Sequence, residues 1–292
     1  MSRAPVWLFF VLVSLLAGQP LPAQTARLAF PATVRAGAAF SVPTSGSGKA
    51  ELYVSGLGQV VDRTVNLGEP ISFAAGEIRT AGHYVVFLAG PNSREHAQFD
   101  VVAVPEPASL SFLARPSRLP VSQGGGISGV LYVFDVYRNL ILAPLQVSFE
   151  LSGEAGATEK QVATTRNGVA WVRMNSSPKA GIARFQASTG GIAEKRVVEQ
   201  FAGDPCHLRM SAHAVRGKIV LETDPVRDCN GNPLPDGTVV TFTESYDGHE
   251  STVDVPVKRD IARTELPAHP GAVITVASGV VMGNEIRWGG GK

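Results

Sequence analysis

The sequence predicts an all-β chain of three tandem sandwiches, on three observations. Apolar residues alternate over runs of about five to eight, as in KAELYVSG from Lys49, HYVVFLAG from His83, LQVSFELS from Leu145 and GTVVTFTES from Gly237. No helical period persists over about ten residues. Strand signals recur about every eight to twelve residues, separated by Gly, Pro, Asn and Asp, which is the spacing of short strands joined by turns. Breaks at VPEPAS (residues 104–109) and FAGDPC (residues 201–206) leave pieces of about 80 to 95 residues, each the size of one sandwich.

Before the first strand the chain reads Met-Ser-Arg, an apolar run over residues 6–17, and GQPLPAQ, the order of charged, hydrophobic and small-residue regions in a secretory signal. Residues 1–23 are assigned to it, with cleavage expected after Ala23. An uncleaved anchor is the alternative, though the run is short for a bilayer. The mature chain is expected to be secreted or periplasmic, with no membrane insertion. Its domains are expected at 24–104, 105–201 and 202–292. Both connectors are short and contain Pro, so they are read as stiff, with backbone exposed to proteases.

In the first piece, TAGHYVV places Gly82 two residues before Tyr84 at the start of a late strand. This is the pattern of a tyrosine corner, in which the hydroxyl bonds back to nearby backbone; a Tyr that only fills core space is the alternative.

The second and third pieces repeat one another. DVYRNLILAPLQVSF (135–149) over DCNGNPLPDGTVVTF (228–242) matches Asp135 with Asp228, Asn139 with Asn232, Val147 with Val240 and Phe149 with Phe242. GVAWVRM (168–174) then lies over DIARTEL (260–266), and GIARFQAS (181–188) over GAVITVAS (271–278). Asp228, Asn230 and Asn232 have the spacing of calcium-loop ligands, but the turn-making Gly and the closing Glu of such a loop are replaced by Pro233 and Val239. The stretch is read as a turn entering a core strand, and no metal ligand is assigned.

Asp228, GNP at 231–233, VTF at 240–242, NGVAWVRM and KAGIARFQAS together resemble the bacterial immunoglobulin-like repeats of invasin and intimin type. The second piece has RNL where the turn motif would stand, and the third has RDIA where Asn-Gly-x-Ala would stand. The resemblance implies immunoglobulin-like sandwiches acting as spacers or adhesive modules on the exported side of the envelope, and it brings no active site.

The residues themselves point the same way. With 26 basic and 25 acidic side chains there is no charge excess to select nucleic acid. No nucleophile elbow is present, and the six histidines (His83, His96, His207, His213, His249, His269) show no zinc spacing. DGHE at 247–250 reads as a polar turn, and QGGGISG precedes a strand, so it cradles no phosphate. No catalytic residue and no cofactor is assigned. The expected function is a non-catalytic spacer, adhesive or binding module whose partner is an envelope protein or polysaccharide. A carbohydrate-binding accessory module is the alternative, followed by a hydrolase with a dispersed site.

Two expectations concern single residues. Cys206 and Cys229, the only cysteines, are expected to form a disulfide that staples an edge strand, because export permits oxidation and a hairpin turning near VRG (215–217) brings Cys206, at the start of the strand CHLRMSA, to Cys229, just after KIVLET; two free buried thiols are the alternative. In GVAWVRM, alternation puts Ala170, Val172 and Met174 on one face and Val169, Trp171 and Arg173 on the other. The repeat sets Arg263 and Glu265 opposite the second group, so Trp171 and Arg173 are assigned to the outside as candidates for a ligand or a neighbouring domain. A Trp lying flat under a loop is the alternative.

Overall fold

The computed structural model describes residues 27–90, 94–153, 156 and 158–289; the expected signal peptide lies outside them. Alternation decides the elements: every helix or strand among the described residues is a β-strand. The burial of Lys49–Gly56, Ile127–Phe134 and Gln146–Gly153 follows the two-residue period over most of each strand. Clustering of the chain gives two units, one ending at Val102 and the other Ala103–Lys292.

The first unit contains a five-stranded sheet in the order Thr33–Arg35, Arg94–Val102, Gly82–Ala89, Lys49–Gly56, Gln59–Asn66. Thr33–Arg35 runs parallel to the end of Arg94–Val102, with Thr33 opposite Asp100 and Arg35 opposite Val102. The short pair Phe40–Val42 and Ile71–Phe73 completes the layer around an aromatic core. There Phe40 stacks on Phe73 at 4.5 Å between centroids, and Tyr84 on Phe99 at 5.3 Å.

Tyr84 is fully buried, and its hydroxyl donates to the Thr80 carbonyl at 3.0 Å, the backward bond expected of a tyrosine corner. The Gln59 Oε1 stands at 3.2 Å as a second acceptor. Gly56 lies against the ring, where a Cβ would collide with it. Burial pushes the phenol above its ordinary value despite the bond to Thr80. A raised folded-state pKa means that this stability is present below the unfolded phenol value of about 10 and lost as pH rises through the folded one. Tyr84→Phe is expected to cost about 1–2 kcal/mol at neutral pH and to flatten the alkaline limb of stability, measured by urea unfolding between pH 7 and 11. An unchanged midpoint would contradict it.

The second unit holds two sandwiches of one plan. In the first, the sheet Ser109–Arg115, Ile127–Phe134, Val169–Met174 faces the sheet Arg118–Pro120, Ile192–Phe201, Gly181–Thr189, Gln146–Gly153, Thr158–Thr164. Arg118–Pro120 runs parallel to the end of Ile192–Phe201. Phe112, Phe149 and Phe185 meet in the core, and Gly129 leaves room for Phe185, whose ring a Cβ would strike. In the second, Met210–Val215, Lys218–Thr223, Arg263–Pro267 faces His249–Pro256, Val239–Tyr246, Val273–Ser278, Val281–Arg287. The matched Val147 and Val240, and Phe149 and Phe242, are fully buried in their two cores.

The second connector, expected to expose its backbone, is instead built into the fold. Ala202 is buried, the Gly203 amide donates to Asp228, Pro205 bridges Asp228, and the Cys206 amide donates to the Arg227 carbonyl. Backbone with its bonds made inside protein is not a free tether. The disulfide differs in one detail. Cys206–Cys229 is formed, with Cα atoms 4.9 Å apart, and the hairpin turns at Arg216 and Gly217 as expected. The strand, however, begins at Met210, so the bridge staples the connector and not an edge strand.

Candidate functional site

The structure brings together two sets of side chains that the sequence singled out. The first is the outward face of the sheet Ser109–Arg115, Ile127–Phe134, Val169–Met174. Ala170, Val172 and Met174 are buried in the core, so Trp171 and Arg173 point out, and Trp171 is 65% exposed.

Strand register extends the surface beyond what one strand reveals. Leu113 stands opposite Val130 and Val130 opposite Trp171, a three-residue row of which Leu113 is 47% exposed. One step away the row is Arg115, Ser128, Arg173; on the other side it is Ser111, Tyr132, Val169. These three rows hold two guanidinium groups and no carboxylate. The Arg173 Nε donates to the Gly125 carbonyl at 3.0 Å, which holds the side chain in place. Among the described residues neither arginine is in an ion pair. Beside Trp171 lies an open cleft of about 520 Å³, lined by Ala163, Thr164, Arg166, Val169 and Trp171.

The third sandwich offers the same place with different chemistry. There the row is Ser211, Glu222, Arg263, and Glu222 pairs with Arg263 at 3.6 Å. Glu265, opposite Val220 in the next row, pairs diagonally with Lys218 at 3.1 Å. One fold position is thus a solvated ion pair in one repeat and an exposed Trp at the end of an apolar row in the other. The edge of Val169–Met174 is partly closed to a further strand: the Arg166 amide donates to the Val169 carbonyl at 2.8 Å, and the Gln161 Nε2 donates to the Arg173 carbonyl at 3.0 Å.

The second set is the repeated Asp–Asn turn. Asp228 Oδ1 accepts from the amides of Asn230 and Asn232 at 2.9 and 2.8 Å, and its Oδ2 from Asn232 Nδ2 at 2.8 Å and the Gly203 amide at 3.1 Å. Asp135 repeats this: Oδ1 takes the amides of Tyr137 and Asn139, both at 2.8 Å, and Oδ2 takes Asn139 Nδ2 at 3.0 Å and the Val104 amide at 2.9 Å. The fourth residue of each turn is left-handed, Gly231 at φ 76° and Arg138 at φ 67°; Gly adopts this without the Cβ penalty. Burial alone would raise the Asp228 carboxyl, but its hydrogen bonds to Asn232, Gly203 and Asn230 outweigh this and hold it below its ordinary value. Each carboxylate is filled with N–H donors and faces a connector, so the calcium-like spacing serves a turn.

Asn232 also ties the two sandwiches of this unit together. Its Nδ2 donates to the Pro178 carbonyl at 2.8 Å, and its Oδ1 accepts the Ala180 amide at 3.0 Å.

Other expectations fall into place. DGHE is the turn of the hairpin Val239–Tyr246 and His249–Pro256, with Asp247 and Gly248 left-handed. A contact that local reading missed joins His269 Nδ1 to Glu244 Oε1 at 3.0 Å, beside a stacked Tyr246; the 25-position separation of the partners hides it.

No family model and no curated protein matches the chain. Among solved structures, invasin, described as a bacterial integrin-binding protein, aligns over 91% of this chain at 15% identity with a TM-score of 0.52. The chain carries the fold of the bacterial immunoglobulin-like repeats. It spans 60% of the length of that invasin structure. The tetra-tandem repeat in the extending region of a large adhesion protein aligns over 90% of this chain and 72% of its own, at 15% identity and a TM-score of 0.32. The FN1–FN3 domains of chicken CNTN1 align over 92% and 97%, at 11% identity and a TM-score of 0.36. Against the immunoglobulin-like repeat fold, the Asp–Asn turns belong to the scaffold and the Trp171 face is surplus to it, since the sister repeat folds with an ion pair there.

Proposed function

We propose that this chain is an exported, non-catalytic tandem of immunoglobulin-like sandwiches that serves the cell envelope as an adhesive or binding module, meeting its partner with the Trp171 face. One observation carries the reading: Leu113, Val130 and Trp171 form an outward apolar row, exposed at both ends, where the sister sandwich has Ser211, Glu222 and Arg263. An exposed Trp beside Arg is the composition of a binding hot spot. Export is supported by the signal-like N-terminus and by the disulfide, which persists in oxidising compartments. The integrin-binding role of invasin supports an extracellular partner. The spacer role is supported by the connector built into the second unit.

Trp171→Ala is expected to change stability by no more than about 0.5 kcal/mol, because the ring lies outside the core. The same variant is expected to lose capture by envelope fractions that retain the wild-type chain. A loss of several kcal/mol, or undiminished capture, would overturn the assignment of this face.

A further inference from the structure

We infer that the Trp171 face takes an acidic polysaccharide, a uronate-bearing glycan laid across the three strands. The inference rests on the reading of this face as the binding surface and names its ligand class.

The first argument is charge. Arg115 and Arg173 stand at the two ends of one row, two strand spacings or about 10 Å apart, and Arg166 lines the cleft beside Trp171. Glu159 and Glu194, on neighbouring strands, are already engaged: Glu159 accepts from Gln161 Nε2 at 3.1 Å and the Asn175 amide at 2.9 Å, and Glu194 pairs with Arg196 at 3.0 Å. Three guanidinium groups around an apolar row fit a ligand that carries carboxylates along an otherwise stackable chain. The Trp171 indole supplies the flat apolar face for a sugar ring, and the arginines reach its acid groups.

The second argument is size. Three rows on three strands cover about 10 Å by 14 Å between outer positions. Even with side-chain margins this is a few hundred Å², well short of the roughly 800 Å² per partner of a stable protein–protein interface. The partly closed edge of Val169–Met174 also disfavours strand addition by a peptide. A short run of sugars needs neither the area nor the edge.

The test uses the full chain with three probes: polygalacturonate, its methyl-esterified form, and poly-L-glutamate. Affinity electrophoresis or calorimetry is expected to show binding to polygalacturonate that weakens as salt rises, and binding about tenfold weaker or less to the methyl ester. Trp171→Ala is expected to lose about tenfold or more, and Arg173→Gln and Arg115→Gln several-fold each. Equal binding of the methyl ester would remove the charge argument, and stronger binding of poly-L-glutamate would make the ligand an acidic polypeptide. If envelope capture still depends on Trp171 while polygalacturonate does not bind, only the ligand class is overturned. If Trp171→Ala is captured as well as wild type, the face itself is the wrong site.

Discussion

Asp228→Ala is expected to destabilise the second unit by about 3–5 kcal/mol, a large effect for a residue that touches no ligand. Asp228 is 5% exposed and its carboxylate accepts four hydrogen bonds, so its removal leaves the buried amide and side-chain Nδ2 of Asn232, and the part-buried amides of Gly203 and Asn230, without that acceptor. Charge-assisted bonds of this kind are worth more than neutral ones, and an unsatisfied buried donor costs more than a bond never made. Asp228→Asn keeps the shape but places an N–H group where only acceptors fit, and is expected to lose about half as much. The pH dependence has a definite sign. Because the folded-state carboxyl lies below its ordinary value, its stability is present above the unfolded value of about 3.9 and is lost as pH falls through the folded one. Urea unfolding between pH 2 and 7 is expected to show a steeper acid decline in wild type than in Asp228→Asn. A change within about 0.5 kcal/mol in Asp228→Ala would show that the turn is ornamental.

Removing the disulfide with the double variant Cys206→Ser, Cys229→Ser is expected to cost about 3 kcal/mol, from the loop-closure entropy of a 23-residue separation. The effect has a second readout. With the bridge intact, limited proteolysis is expected to cut near residues 104–109 and to spare residues 201–206, whose amides bond to Arg227 and Asp228. Reduction is expected to open the second connector to cleavage before either sandwich is digested. Equal cutting at both connectors in the oxidised protein would contradict the reading of the second as part of the fold.

The fold was legible because alternation is a local property: the faces of Val169–Met174 follow from one strand and its repeat, and they stand as read. The Cys206–Cys229 pair followed from one local hairpin, with the partners 23 positions apart. What escaped sequence reading depends on pairing across space. The match of Asp135 with Asp228 and Asn139 with Asn232 was visible, but their reach to Val104 and Gly203 lies 31 and 25 residues away. The row Leu113, Val130, Trp171 needs the register of three strands, which no single strand encodes. The parallel pairs of Thr33–Arg35 and Arg118–Pro120 are three residues each, too short for a period to emerge.

Those short parallel pairs set how the chain bears tension. In the first unit and in the first sandwich of the second, a strand near the entry lies beside the exit strand and runs the same way. A pull on the two ends drags such strands past each other along their length, so their hydrogen bonds are loaded together in shear and fail as a group. The last sandwich has no parallel pair among its described strands, and there the sulfur bridge takes the role. Force entering at Cys206 crosses directly to Cys229, and the hairpin of Met210–Val215 and Lys218–Thr223 lies outside the loaded path. Reduction places that hairpin in series with the rest, and the tether gains its length at the pull that peels two strands apart.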